Sequence, residues 1–514
     1  MHITLISTST FPSDQGIRTV SAVLKKAGFD VTLVFMTLSE DYSKKYSQNE
    51  LKQLGELCKG SGMIGINSFA STAERAEQII SYLKEEFPDT PLVYGGVHAT
   101  ISPEDCIKHC DIVCVGEAEE AIKELTHSLE VGVSIDNIPN LWIKKGKGII
   151  KNPVRDLIDD LDRIPLPDYD TETHYILEKG KIRNFHEKDL TGAIFFLTGR
   201  GCPYGCDYCS NSLLNKLYAG KCKKILRWHS PEYIIKGILQ LKKQFPTLAY
   251  FDIRDDTFSL RPFEDIKRFC ELYKKKVNMR FKCLADPKTV TKEKIRMLVD
   301  AGCTDIIVGI QGSERSNKEI YHRYQSNQEI MRCAKILNKF VIKKKLAVMY
   351  DVITCNPYEK PEDIIDLIRL LQKIPKPYFL SVNNLVFFPG TKMYDRAIAD
   401  GTIKNKEDAA YQLNYWDRSK HLLLKKKNIY LNLILNLMRG SVTKRRFGFM
   451  TNFFINFLLK KERVDKRIKH PWPAYGLCYC LSIFDWIREK ILKPTYRSLP
   501  TSFKVWYDKV RYRV

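Results

Sequence analysis

The sequence predicts an α/β fold in three parts: an open Rossmann-like (flavodoxin-like) domain, a partial (β/α)6 barrel and a helical C-terminal domain. Three observations carry the prediction. Residues 1–130 alternate short apolar runs with amphipathic helical patterns, residues 192–401 repeat that rhythm through six strands, and beyond Thr402 it stops and the chain turns basic and aromatic. Strands this apolar, separated by helices, belong to parallel sheets covered on both faces. A chain of 514 residues also exceeds what one hydrophobic core sustains, so roughly two to four domains are expected.

In the first part, His2–Ser7 reads as a strand and Gly16–Ala27 as an amphipathic helix closed by Gly28. Asp30–Met36, Met63–Phe69, Pro91–Tyr94 and Asp111–Val115 follow as strands, with helices at Gln48–Lys59, Thr72–Glu86, Ser102–His109 and Glu117–Leu129. Open sheets bind ligands beyond the carboxyl ends of their strands. That singles out the loops Thr8–Gln15, Ser68–Ser71, Gly95–Thr100 and Gly116–Glu119. Residues 131–190 read as a linker, with a hairpin at Leu141–Lys151 and a proline-stiffened stretch at Ile164-Pro165-Leu166-Pro167. Barrel strands are predicted at Gly192–Thr198, Leu248–Ile253, Arg280–Cys283, Asp305–Ile310, Leu346–Thr354 and Tyr378–Phe387. Helices fall at Pro231–Gln244, Arg261–Lys275, Lys292–Gly302, Glu329–Lys339 and Pro361–Lys373. Such a barrel gathers its functional loops at the strand C-termini.

The charge is not spread evenly. The chain carries a formal net charge of +23, and residues 402–514 hold 25 Lys plus Arg against 8 Asp plus Glu, a net of +17. Residues 1–401, with 58 against 52, are nearly balanced. The basicity therefore belongs to the tail, whose apolar segments Ile429–Met438 and Phe447–Leu459 are flanked by Lys425-Lys426-Lys427, Lys444-Arg445-Arg446 and the cationic stretch 460–469. Three readings fit it: a helical cap on the barrel mouth, a membrane-surface helix at Phe447–Leu459, or nucleic-acid binding. The last is disfavoured because no RNA-binding module accompanies the charge. The 15 cysteines, without an export signal or an apolar run approaching the ~18 residues of a spanning helix, fit a reducing cytoplasm.

The strongest chemical signal is Leu197-Thr-Gly-Arg-Gly-Cys202-Pro-Tyr-Gly-Cys206-Asp-Tyr208-Cys209. Three soft thiolate ligands at C-x3-C-x2-C, in a Gly/Pro-rich loop after a buried strand, suit an iron–sulfur cube with one iron left open. A zinc loop would want a fourth Cys or His nearby, and the next are Cys222 and His229. This loop resembles the cluster motif of the radical S-adenosylmethionine (SAM) superfamily. Phe251–Phe258 with Asp255 and Asp256, Gly309–Glu314 with Gln311 and Ser313, and Phe388-Pro389-Gly390-Thr391 resemble strand-end segments of its cobalamin-binding branch. Tyr94–Thr100 and Asp111–Glu119 resemble the B12-binding domain fused to such barrels. The fifth barrel strand departs from the pattern, ending in Cys355-Asn-Pro-Tyr where a Gly-x-Pro-Gly type of turn is usual.

The resemblance implies a 4Fe–4S cluster on Cys202, Cys206 and Cys209, with SAM chelating the open iron and reductively cleaved to a 5′-deoxyadenosyl radical. It places SAM contacts at Tyr208, Asp255, Asp256, Gln311 and Ser313. Cobalamin contacts fall at Ser68, Gly95, Gly96, His98, Gly116 and Glu117. The domains it implies are a B12-binding domain at 1–130, a linker at 131–190, the radical SAM barrel at 191–401 and the basic helical domain at 402–514. The Asp-x-His-x-x-Gly motif that ligates cobalt is absent, since the first loop reads Ser13-Asp14-Gln15-Gly16-Ile17-Arg18. Cobalamin is expected without that ligation, and His98 is read as a wall or backbone-bonding residue. Cys355, at a barrel strand end, is the one candidate catalytic thiol. Cys106, Cys110 and Cys114 are read as core filler, as are Cys478 and Cys480.

The activity implied is methylation of an unactivated carbon or phosphorus in a small-molecule or lipid substrate. A non-methylating rearrangement or cyclisation is the runner-up. An RNA methylthiotransferase is disfavoured, because that family's additional cluster domain and RNA module are not seen. The implied partners are a one-electron donor such as flavodoxin or ferredoxin and, through residues 402–514, a membrane surface. The location expected is the cytoplasm, peripheral to the inner face of the membrane where that contact is made.

Overall fold

Apolar alternation in the first part produces the expected parallel sheet: β1 (His2–Ser7), β2 (Asp30–Phe35), β3 (Met63–Asn67), β4 (Leu92–Gly95) and β5 (Ile112–Cys114) pair in the order β5-β4-β3-β1-β2. The computed structural model describes residues 1–39, 41–190, 192–404, 408–409, 411 and 428–487, the side chains of 482 and 484–487 excepted. Both faces are covered. Ile3 and Leu5 pack with Ile17 and Leu24 of helix Gln15–Lys26, while Ile6, Ile64 and Ile66 pack with Leu54, Ile79 and Leu83 of the opposite helices. Helix Gln48–Cys58 begins on a reciprocal capping box between Ser47 and Glu50, which satisfies two N-terminal amides.

Residues 131–190, read as a linker, contribute four strands to this sheet. β6 (Leu141–Lys145) and β7 (Gly148–Lys151) form the expected hairpin and add antiparallel beyond β5. β8 (His174–Glu178) extends the parallel order past β2, and β9 (Lys181–Asn184) returns beside it. Only the single 3-10 turn Leu161–Arg163 lies between β7 and β8, so the strand–helix rhythm does not announce β8. It is fixed instead by Arg18, buried against Phe35, Tyr169 and Phe185 and donating to the Asp168 carbonyl at 2.8 Å.

The barrel sheet starts with β10 (Gly192–Phe196). A two-strand ladder of β11 (Gly199–Arg200) and β12 (Arg227–Trp228) follows, outside the barrel. β13 (Leu248–Ile253), β14 (Arg280–Ala285), β15 (Cys303–Gln311), β16 (Ala347–Thr354) and β17 (Tyr378–Asn384) then pair in parallel in chain order. Six parallel strands give the partial barrel.

The C-terminal region closes the open edge of that sheet. β18 (Gly440–Val442) runs antiparallel along β17, with Tyr378 opposite Val442, and β19 (Arg446–Phe447) and β20 (Met450–Thr451) turn back on it. Helix Ile429–Met438 covers the end of β16, where the Asn432 side-chain oxygen accepts from the Thr354 hydroxyl at 2.8 Å and the Cys355 amide at 3.1 Å. Of the three readings of the tail, the cap reading describes this packing against the barrel sheet in part, with a strand edge rather than the barrel mouth as its main contact. The expected helix Phe447–Leu459 is not realised: a tight hairpin between Phe447 and Met450 breaks it, leaving helix Asn452–Leu458. Helices Lys461–Lys469 and Trp472–Ile487 follow. Lys425-Lys426-Lys427 and residues 488–514 lie outside the described residues. No described helix is long and apolar enough to cross a membrane.

Candidate functional site

The cysteine loop leaves the barrel between β11 and helix Ser210–Leu217 and is pinned from three sides. The Asn215 amide donates to the carbonyls of Cys202 at 2.9 Å and Tyr204 at 3.2 Å. The Asp207 amide reaches the Tyr321 carbonyl at 3.1 Å, and the Asp207 carbonyl accepts from Met393 at 3.1 Å. Cys202 and Cys206 are buried and Cys209 half-buried. Burial pushes the Cys202 thiol up to about 12 and Cys209 to about 11, so binding a metal here means displacing their protons.

A polar group that the sequence reading missed flanks the loop on its inner side. Arg323 is half-buried, its guanidinium 3.3 Å from Asp286, its Nε donating to Gln325 at 2.9 Å, and its guanidinium carbon 5.9 Å from the Tyr204 ring centre. Burial works against its charge, and the neighbouring Tyr208, Cys206 and Asp286 hold it firmly protonated. Gln311, at the end of β15 with φ of +67°, turns its amide back over Gly309, where a Cβ would stand 2.5 Å from Gln311 and 3.3 Å from Arg323. Tyr208 packs edge-on to Tyr321 at 5.1 Å. Gln311, Tyr208 and Arg323 therefore form one wall beside Cys206. No sequence motif marks Arg323; only the chain's return after β15 brings it there.

Asp255 and Asp256 diverge. The Asp255 carboxylate accepts from the Thr198 amide at 2.6 Å, from Gly199 at 3.1 Å and from the Thr198 hydroxyl, so it holds the strand that leads into the cysteines. Asp256 faces a cavity, and burial, reinforced by Asp255 against the pull of an Asn211 hydrogen bond, lifts its carboxyl to about 6. Ser313 is also turned inward, donating to the Ser316 hydroxyl at 3.0 Å.

That cavity, about 490 Å³, lies between the two sheets. The first sheet lines it with Gln15, Asn67, Gly95, Gly96, Gly116 and Glu117; the barrel side supplies Leu197, Ser210, Asn211, Arg254 and Asp256. Three of the four loops expected to bind ligand border it. Gly96 and Gly116 have φ of +91° and +87°, and a Cβ would fall 1.9 Å from the Asn67 side chain or 2.0 Å from the Tyr218 hydroxyl. At these positive φ values only glycine lets the backbone lie this close to those side chains. The segment Gly95–Thr100 is not a loop throughout, because Gly96–Ile101 forms a short helix at the cavity edge.

Ser68 and His98 do not line the cavity. The Ser68 hydroxyl pairs with the Tyr94 hydroxyl at 2.7 Å in the core. The buried His98 ring lies edge-on to Tyr411 at 5.3 Å, with a ring nitrogen within 4.8 Å of carboxylate oxygens of Glu77 and Asp105. Cys355 is buried against Ile429, Leu433, Ala474 and Cys478, beneath the C-terminal helices. Cys106 and Cys110 pack on one face of the first sheet and Cys114 on the other, so the three do not converge.

Ion pairs fasten the two sides of the cavity together. Arg200 reaches Glu119 at 2.5 Å and Glu117 at 3.2 Å, and Arg227 reaches Glu117 at 2.5 Å. Burial opposes ionisation of Glu119, but Arg200 outweighs it and holds the carboxyl below its ordinary range. The Tyr218 hydroxyl accepts from the Glu117 amide at 2.8 Å, and the Gln15 side chain bonds both backbone groups of Leu197, at 2.7 and 3.3 Å.

Comparison with known proteins agrees with this architecture. A family model for the B12 binding domain matches residues 1–126, and one for the radical SAM superfamily matches residues 196–371. An uncharacterized methyltransferase of Pyrococcus horikoshii is 25% identical over 344 residues, 66% of this chain and 70% of the relative. Bacteriochlorophyllide d C-8(2)-methyltransferase of Chlorobaculum tepidum is 25% identical over 374 residues, 71% of this chain and 75% of the relative. The solved structure of OxsB, a cobalamin-dependent SAM radical enzyme with aqua-cobalamin and SAM bound, superposes with a TM-score of 0.63 at 14% identity, covering 100% of this chain and 75% of that one. This chain belongs to the radical SAM superfamily, in the branch that joins a B12-binding domain to the radical SAM barrel.

Proposed function

We propose that the protein is a cobalamin-dependent radical SAM methyltransferase that methylates an unactivated carbon, or phosphorus, of a small-molecule or lipid substrate. The shared cavity carries the reading: the glycine loops of the B12-binding side and the residues beside the cysteine loop line one space. Both named relatives are methyltransferases, one of them acting on bacteriochlorophyllide d, a small molecule. When bound, the cluster supplies the electron, SAM the radical and the methyl group, and cobalamin the methyl carrier.

The chain's own residues bind, orient and exclude water. Cys202, Cys206 and Cys209 are the cluster ligands in this reading. Tyr208, Gln311 and Arg323, with Asp256 across the loop, form the SAM wall, while Asp255 and Ser313 act one step back by fixing the backbone around it. Gly95, Gly96, Gly116 and Glu117, joined by Gln15 and Asn67, face the corrin. Leu197 and Tyr218 close the rest of the cavity and keep solvent from the reacting centre. The corresponding division is a cobalamin domain at 1–130, with the strands of 131–190 completing its sheet, a barrel at 191–401 and a cap at 402–514. The same reading includes a one-electron donor such as flavodoxin or ferredoxin, and a membrane surface met by the C-terminal region.

The test is anaerobic reconstitution with iron, sulfide and cobalamin, followed by turnover with methyl-deuterated SAM and a small-molecule extract. S-adenosylhomocysteine and 5′-deoxyadenosine formed together, with a deuteromethyl product, are expected. Deoxyadenosine without S-adenosylhomocysteine would replace methylation with rearrangement or cyclisation.

A further inference from the structure

The C-terminal region exposes large apolar side chains that are interleaved along the chain with cations. Helix Trp472–Ile487 runs thirteen residues, Trp472 to Phe484, before its first charge at Asp485. Ala474 and Cys478, one turn apart, are buried against Ile429 and Leu433. Away from that contact Trp472 is 78% exposed and Tyr479 63%, with Leu477 and Ile483 nearly half exposed. Just upstream, Phe449 is 91% and Phe453 81% exposed. Residues 444–469 carry nine Lys or Arg against two acidic residues, and Lys444, Arg445, Lys460, Lys461 and Lys466 are solvent-facing.

A helix that is apolar all round belongs in a protein core or in lipid, and among its described side chains this one buries Ala474 and Cys478. Large exposed aromatics in this number mark an interaction surface. Their bracketing by lysine and arginine is the chemistry of a bilayer interface, where aromatic rings sit at the headgroup level and cations meet anionic lipid. A nucleic acid would match the cations and leave the Phe, Trp and Ile side chains in water. A second copy of the chain would cover the aromatics and set one cationic rim against another. An anionic bilayer satisfies both at once.

We propose that this face docks the enzyme on an anionic membrane surface, with Phe449, Phe453 and Trp472 entering the headgroup–acyl boundary while the Lys and Arg of 444–469 engage the headgroups. The inference rests on the membrane contact included in the proposed function, and not on the chemistry of the barrel. It makes the bilayer the place where the enzyme meets its substrate or its electron donor.

The experiment is flotation of the full-length protein with vesicles of phosphatidylcholine alone and of two-thirds phosphatidylcholine, one-third phosphatidylglycerol. Flotation only with the anionic vesicles, weakened by salt, is expected. A Phe449→Ser, Phe453→Ser, Trp472→Ser variant should partition at least about tenfold more weakly. A Lys460→Glu, Lys461→Glu, Lys466→Glu variant should lose the salt-sensitive part of binding. All six positions are exposed, so melting temperature, iron and corrin content should match wild type. No flotation, or undiminished flotation of the serine variant, overturns the proposal. So does a change of sedimentation coefficient in the serine variant without vesicles, which would make the face a contact between copies. Failure to float with normal iron and corrin loading leaves the catalytic reading standing; loss of cofactor loading with normal flotation leaves the docking standing.

Discussion

Cys206 has no substitute ligand within its loop: Cys202 and Cys209 are already assigned, and the next thiol after them is Cys222, half-buried and bonded to the Tyr218 carbonyl. Cys206→Ala should therefore lose most bound iron and sulfide after anaerobic reconstitution, and retention of a full cluster would sink the assignment. Arg323 acts beside it. Arg323→Gln would leave the buried Asp286 without its cation, a loss of roughly 3 kcal/mol for a broken buried pair, and should weaken SAM binding while iron content holds. A different residue sets a pH dependence of stability. Glu359, in the loop after β16, is buried, accepts from the Ser316 hydroxyl at 2.8 Å, and is lifted by that burial to about 7. Its folded pKa lies above its ordinary value of 4.5, so the folded state binds the proton more tightly. That stabilisation is complete below the ordinary pKa and is lost as pH rises through about 7. Glu359→Gln, which keeps the acceptor and removes the proton equilibrium, should flatten the fall in melting temperature across that window by up to about 3 kcal/mol of stability. The cysteine loop could be picked out from sequence because its motif is a spacing along the chain. Arg323 could not, because its role is a distance between segments more than a hundred residues apart. Ser68 and His98 sat in the right loops and turned to the core, an orientation that residue type does not encode.

At the scale of elements, the loop Gly116–Glu119 and the β11–β12 ladder form a latch across the cavity. Both Arg200 and Glu119 are largely withdrawn from water and 2.5 Å apart, so Arg200→Met should leave an unpaired buried carboxylate and destabilise the protein by about 3 kcal/mol. Adding Glu119→Leu should recover most of that stability, yet corrin retention on gel filtration should stay below wild type, because the loop that faces the cavity has lost its register with the barrel. Equal retention in the double variant would reduce the pair to a structural contact. Strong periodicity made the parallel strands and their helices readable: helices Pro231–Gln244 and Pro361–Lys373 fall where the sequence puts them, each with proline in its first turn. The elements that escaped are those fixed by distant partners. β8 depends on Arg18, helix Gly96–Ile101 is a single short turn-rich piece, and Phe447–Leu459 carries a helical apolar pattern that the β19–β20 hairpin overrides.

For the molecule as a whole, the region beyond residue 401, with its net charge of +17, includes the elements that pack on the open edge of the barrel sheet. β17 pairs with β18 along Tyr378, Phe379 and Leu380, and the end of β16 has its Thr354 hydroxyl and Cys355 amide bonded by Asn432. Removing residues 402–514 would open that edge to water and leave a row of unpaired backbone groups, the template on which sheets aggregate. It would also bare Cys355 and take the Asn432 acceptor away from the Thr354 hydroxyl and the Cys355 amide. A chain ending at 401 should therefore be recovered largely as aggregate. A chain ending at 471 keeps helix Ile429–Met438, β18 to β20 and helix Lys461–Lys469, and loses the helix that covers Ile429 and Leu433. It should stay folded with a lower melting temperature, retain its iron and corrin, and float less on anionic vesicles because Trp472 is gone. Size-exclusion profiles and thermal unfolding of the two truncations decide between cap and appendage. If the chain ending at 401 proves monomeric and as stable as the longer one, the C-terminal region is an appendage, and the pairing along β17 contributes nothing to the barrel.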